Sequence, residues 1–196
     1  MLVRNAGHML LGPGEAFSHG ELAGQYDVNV LETQRINRTV LPHLRAQGSG
    51  RLVWISSTSA RGGGAPFAGP YFAAKAAMDS LAVSYAGELV RFGFDTIIVV
   101  PGAYTSGTNH FANAGGPADA ARATEFDNHY GDYLKVMPER LAALIPGDAR
   151  PGAVADVVVA AVSAPAGPRP YRVHIDPAKT AARSSRPSAT GSGPRS

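Results

Sequence analysis

Tyr71 and Lys75 stand four residues apart in the run Tyr71-Phe72-Ala73-Ala74-Lys75. On a helix that spacing places both side chains on one face, one turn apart. A free phenol titrates at about 10, too high for a base at neutral pH. A neighbouring ammonium favours the phenolate and draws that value down. Such a pair can give or take a hydroxyl proton. Alone, the spacing is weak evidence, because a surface lysine beside a half-buried tyrosine satisfies it equally. Upstream, Ser56, Ser57, Thr58 and Ser59 offer four hydroxyls in a row. A hydroxyl facing Tyr71 could hold a carbonyl oxygen and stabilise charge developing on it. Ser and Thr also begin loops for local hydrogen-bonding reasons, which is the plain alternative.

The elements that must position these residues follow from periodicity. Leu2–Arg4 is a short apolar start before the turn-prone Asn5-Ala6-Gly7. Ser18 is a candidate N-cap for a helical region reaching Gln47, with Val28, Leu31, Ile36, Val40, Leu41 and Leu44 at near-helical spacing. Pro42 is expected to kink it. Arg51–Ser56 reads as a buried strand, and a Gly/Pro-rich loop, Ser57–Pro70, leads into a helix over Tyr71–Phe92. Gly93 is placed to stop that helix. Asp95–Val100 is a second buried strand, closed by Pro101-Gly102. The segment to Gly147 has helical character around Ala118–Tyr133 and Pro138–Ile145. Pro151 suits a first helical position before Ala153–Ser163, and Tyr171–Ile175 is the last strand. Strands and helices in alternation, with continuous Val/Ile strands, predict an α/β fold: a parallel sheet covered by helices on both faces. Ligands of such sheets sit at the carboxyl ends of the strands. That directs attention to Asn5–Phe17, Ser57–Pro70 and Gly102–Gly147.

Length and composition set the outer bounds. The 196 residues suit one domain with one core. The sequence has no cysteine, which excludes disulfides and thiol chemistry. The six histidines are scattered without a ligand spacing, so no metal site is expected, and they read as surface or loop residues. No apolar run suits a membrane span, and the first residues lack the pattern of a secretory signal, so a cytoplasmic protein without membrane partners is expected. The basic balance sits in the tail, since 178–196 holds Lys179, Arg183, Arg186 and Arg195 and no acid. Without it, 14 Lys and Arg face 15 Asp and Glu, which argues against a nucleic-acid partner. The tail is expected to be disordered and basic, with 1–177 forming the domain.

With these residues in place, the sequence resembles the short-chain dehydrogenase/reductase family from about Leu2 to Asp176. Asn5-Ala6-Gly7 resembles the family's Asn-Ala-Gly turn beside the cofactor. Asn29 matches its catalytic asparagine, and Ile55-Ser56-Ser57 the strand end that carries the catalytic serine. Tyr71 and Lys75 match its Tyr-x-x-x-Lys pair. Pro101-Gly102, followed by Thr105 and Ser106, resembles the turn whose later hydroxyl contacts the nicotinamide carboxamide. The resemblance implies a Rossmann-like doubly wound sheet and NAD or NADP as cofactor. It also implies hydride transfer between a small carbonyl compound and an alcohol, in a homo-oligomer (dimer or tetramer). By resemblance, Tyr71 is the acid/base and Lys75 lowers its pKa and holds the nicotinamide ribose. Ser57 orients the carbonyl, and Asn29 holds a water that links Lys75 to solvent.

Two departures qualify the match. Ser57 to Tyr71 is one residue longer than the family's usual spacing, and Thr58 sits at that spacing. Ser57 is preferred as the second serine of the strand-end pair, with Gly62-Gly63-Gly64 able to absorb one residue. The second departure is the family's opening strand and glycine-rich pyrophosphate turn, to which nothing here corresponds. The expectation is therefore the C-terminal, catalytic part of the Rossmann-like domain, lacking the first strands, poorly soluble alone and feeble in cofactor binding. A catalytically silent fragment serving as a scaffold or dimerisation module is the alternative. An apolar or aromatic carbonyl compound would suit Phe111, Phe126, Tyr130, Tyr133 and Met137, unless these residues pack their own segment.

Overall fold

The computed structural model describes residues 1–61, 66–104, 108–143, 145–165 and 170–178. The expectations for Gly62-Gly63-Gly64, for Thr105 and Ser106 and for 179–196 lie outside the described residues. Four strands form one parallel sheet in the order β1-β2-β3-β4: Leu2–Arg4, Gly50–Ile55, Phe94–Pro101 and Arg172–Ile175. Because all four run the same way, Asn5-Ala6-Gly7, Ser56-Ser57 and Gly102 emerge from one edge of the sheet.

At β2 and β3 both faces of the sheet are covered. Leu52, Trp54, Ile98 and Val100 point to one side, where they pack on Leu41 and Leu44 of α2 (Glu32–Ala46) and on Met78, Ala82 and Leu89 of α3 (Gly69–Leu89). Val53, Ile97 and Val99 point to the other, against Ala161, Val154 and Val158 of α5 (Gly152–Ser163). This alternation along β2 and β3, with apolar residues on both faces, is why these strands read as unbroken Val/Ile/Leu runs. Trp54, Leu52, Ile97 and Ile98 are fully buried, and each contributes about 1.5–3 kcal/mol relative to exposure.

Helix boundaries follow local chemistry. Ser18 caps α1 (His19–Tyr26) in a reciprocal box: the Glu21 amide donates to Ser18 Oγ at 3.2 Å and the Ser18 amide to Glu21 Oε2 at 2.8 Å. Between α1 and α2 the helix passes through a π turn, Asp27–Leu31, in which the Glu32 amide donates to the Asp27 carbonyl. The irregularity therefore falls at Asp27–Leu31, while the helix continues through Pro42 to Ala46. After α3 and a short 3-10 turn, Gly93 takes φ +74°, and a Cβ there would lie 2.9 Å from the Gly48 carbonyl oxygen. α4 is a single helix, Ala120–Ala143, rather than the two pieces expected from the sequence. Pro151 precedes α5 as its cap residue, one position earlier than expected. Among the described residues no helix is long and apolar enough to cross a membrane.

Candidate active site

Three residues of α3 meet the three residues at the end of β2. Tyr71, Lys75 and Asp79 share one face, each a turn from the next. The Ser57 side chain hydrogen-bonds the Tyr71 phenol. Lys75 Nζ donates to the Ile55 carbonyl at 2.8 Å. Ser56 Oγ donates to the Asp79 carboxylate. Strand end and helix face are thus joined residue for residue.

Of the two candidate hydroxyls, Ser57 is the one on Tyr71, while Thr58 begins the 3-10 turn Thr58–Arg61. Ser59 determines which way the Ser57 proton points. Its amide and its hydroxyl both donate to Ser57 Oγ, at 3.2 and 2.7 Å. With its oxygen accepting twice, Ser57 turns its own O–H outward as a donor. Ser59 carries no motif of its own, and only its place in the hydroxyl run marked it.

The electrostatics differ from the expectation for Tyr71. Burial pushes the phenol above its usual value, and the Ser57 hydrogen bond only partly offsets this. The shift is set by burial and Ser57, and the nearby Lys75 ammonium is itself desolvated. Lys75 is 6% exposed, and burial lowers it to about 8 while Asp79 pulls it back up. One of its three N–H donors is committed to Ile55.

Asn29 sits in the π turn, 2% exposed, with its amide spent on backbone groups. Its Nδ2 donates to the carbonyls of His8 and Gln25, both at 3.0 Å, and the His8 amide donates to its Oδ1 at 3.4 Å. Gln25 Nε2 adds a second bond to the His8 carbonyl at 2.8 Å. The side chain therefore pins the segment after β1. Asn5, Ala6 and Gly7 are exposed at the mouth of the site, and a Cβ on Gly7 would meet Asn29 Oδ1 at 3.0 Å.

At the end of β3, the Gly102 amide donates to the Ile175 carbonyl at 2.8 Å. A Cβ on Gly102 would lie 2.1 Å from Asp176 Oδ1, so only glycine lets β3 and β4 close at this point. Over the cleft, residues 108–118 are tied to the loop after β1. Gly115 donates to Met9 and accepts from Leu11, both at 2.9 Å, and the Ala118 amide donates to Glu21 Oε1 at 2.8 Å. His110 of this segment is exposed yet meets the Tyr71 ring edge-on, centroids 5.7 Å apart. Burial, then Lys75 and His8, lower its pKa. Tyr130 and Tyr133 pack on Phe67 of the loop before α3, and Met137 is buried.

The residues present fit the nicotinamide-ribose end of a dinucleotide. The exposed Asn5–Gly7 turn, the close Gly102 crossing and the Lys75 ammonium, one of whose donors is taken by Ile55, lie along one sheet edge.

Known proteins resemble this chain in sequence and in fold. Residues 1–116 match the sequence model for short chain dehydrogenases. An uncharacterized oxidoreductase, YusZ, of Bacillus subtilis (strain 168) is 30% identical over 69% of this chain and 46% of its own length. Human 17-beta-hydroxysteroid dehydrogenase type 1 is 42% identical over 47% of this chain and 28% of its own. A short-chain dehydrogenase from Streptomyces avermitilis superposes with a TM-score of 0.68 at 28% identity, over 89% of this chain and 60% of that one. A gluconate 5-dehydrogenase from Burkholderia cenocepacia J2315, in complex with NADP and tartrate, gives 0.52 at 26% identity, over 56% and 43%. The chain belongs to the short-chain dehydrogenase family. It spans less than half the length of these two curated relatives.

Proposed function

We propose that this chain carries the proton-transfer centre of an NAD- or NADP-dependent oxidoreductase that interconverts a small carbonyl compound and an alcohol. The observation that carries the reading is the Ser57–Tyr71 hydrogen bond set above Lys75, itself seated on Ile55. Tyr71, Lys75 and Asn5-Ala6-Gly7, with Pro101-Gly102, would hold the nicotinamide-ribose half of the cofactor, which when bound supplies or accepts the hydride. In reduction, the Tyr71 hydroxyl donates its proton to the substrate oxygen while the Ser57 O–H, aimed outward by Ser59, donates a hydrogen bond to that same oxygen. Lys75 then stabilises the phenolate left behind. In oxidation the same groups run in reverse. Asn29 serves by fixing the turn after β1 beside the cleft. NADP binding by the gluconate 5-dehydrogenase supports the cofactor class. NAD(P)H consumption on a panel of aldehydes and ketones tests the reading, with Tyr71→Phe as the control.

A second reading, a dimerisation module without turnover, draws on one surface. Val28, Leu31 and Val83 are exposed on the α2–α3 side, beside a groove lined by Val30, Gln34, Leu81 and Tyr85. We infer that this face pairs with a second copy, with or without catalysis. Sedimentation of the wild type against Leu31→Asp, alongside the turnover assay, separates the two.

A further inference from the structure

Asp79 takes no part in the chemistry described so far, yet its carboxylate is firmly held. Its carboxylate accepts from both terminal nitrogens of Arg172, each at 2.9 Å, as well as from Ser56. Arg172 lies on β4, so the bidentate bond joins helix, β2 end and far strand. Asp79 and Arg172 side chains are only 18% and 19% exposed. The other charges near Asp79 are Lys75 on its own helix, Arg61 on the turn after β2 and His174 on β4. His110, from the segment over the cleft, meets the Tyr71 ring and feels the Lys75 charge.

A mobile carboxylate one turn from Lys75 would be free to swing onto the ammonium and draw it away from Tyr71. Arg172 and Ser56 prevent this by taking up the carboxylate's acceptor positions a turn below. The negative charge then acts on Lys75 through space, and the lysine's donors remain for Ile55 and the face beneath Tyr71. We propose that Asp79 is a positioning residue for the Tyr71–Lys75 pair. Held by Ser56 and Arg172, its carboxylate keeps the Lys75 ammonium charged and seated on the Ile55 carbonyl. This rests on the reading that Lys75 assists Tyr71. Burial drives Lys75 down to about 8, and the Asp79 carboxylate is the group that opposes it.

The test is a titration of Lys75 by NMR in the full chain, made with lysine labelled with carbon-13 at Cε. The three lysines, Lys75, Lys135 and Lys179, are assigned through Lys135→Arg and Lys179→Arg. Asp79→Asn is expected to lower the Lys75 pKa by about one unit, and Asp79→Glu to restore most of it. If Asp79 were only a structural pin, its loss would admit water and move Lys75 up towards its ordinary 10.5. A rise in Asp79→Asn, or no change, overturns the proposal. Should Asp79→Asn not fold, Arg172→Gln answers instead: freeing the carboxylate from its guanidinium raises Lys75, and an unchanged or lowered value overturns the proposal. The titration needs no turnover. Failure of the functional reading shows separately, as turnover unaffected by Tyr71→Phe and Lys75→Met.

Discussion

Lys75 reaches from the second turn of α3 to the carbonyl of Ile55, 2.8 Å away, and so anchors the helix face to the end of β2. The ammonium is almost wholly out of water, and that has consequences for stability. The folded pKa is about 8 against an ordinary 10.5, so the unfolded chain holds this proton more tightly. Below 8 the buried charge opposes folding in full, and between 8 and 10.5 the opposition fades as the unfolded chain, too, loses the proton. Stability is therefore expected to rise from pH 8 towards 10 in thermal melts followed by circular dichroism. Lys75→Met should remove that rise and be more stable at pH 7 by about 2 kcal/mol, while losing activity. The raised Tyr71 acts above this window. A variant less stable than wild type at pH 7 would count against the account.

The Ser57 hydroxyl, not that of Thr58, faces Tyr71. Ser57→Ala is expected to reduce turnover by about 10²-fold or more, and Thr58→Val to leave it within a few-fold. Ser59→Ala should fall between them, since it frees the Ser57 hydroxyl to rotate without removing it. Steady-state rates on one ketone decide the order, and a larger loss in Thr58→Val would reassign the role.

Asn29 is bound to its neighbours by hydrogen bonds rather than exposed to substrate. Asn29→Ala leaves the His8 amide short of a partner and removes one donor from each of two carbonyls. A loss of about 1–3 kcal/mol in urea unfolding is expected. An unchanged midpoint would mean that the turn after β1 is held by other contacts.

Arg4 is 5% exposed in the core, its guanidinium 4.0 Å over the Trp54 ring, with no hydrogen-bond partner among the described residues. Burial lowers its pKa to about 10. The cation–π contact returns about 2 kcal/mol at most, less than the cost of desolvating an unpaired charge. Arg4→Met should therefore be neutral or stabilising in the same unfolding assay, and a clear loss would reveal a partner for the guanidinium.

The strands were legible because residues buried on both faces of a parallel sheet must be apolar throughout, as in Leu52-Val53-Trp54 and Ile97–Val100. Ser18 was legible because capping is local chemistry. The π turn at Asp27–Leu31 was not, since one extra residue in a helix leaves the apolar spacing almost unchanged. Nor was the continuity of α4, where the sequence reads as two separate helical stretches. In the site, Tyr71, Lys75 and Ser57 announce themselves by spacing and resemblance. Asp79 stands one turn further on, but its meaning depends on Arg172, 93 residues away. Ser59 likewise acts only through another hydroxyl. Roles that depend on a partner brought in by the fold carry no signal in the sequence alone.

The central claim is that Tyr71 moves the proton in a nicotinamide-dependent carbonyl reaction. The most direct measurement is NAD(P)H consumption at millimolar cofactor, wild type against Tyr71→Phe, on the aldehyde and ketone panel. The account predicts consumption by the wild type that falls by about 10²–10⁴-fold in Tyr71→Phe with the fold intact. Equal rates in the two proteins, or no consumption by the wild type on any compound, would contradict it.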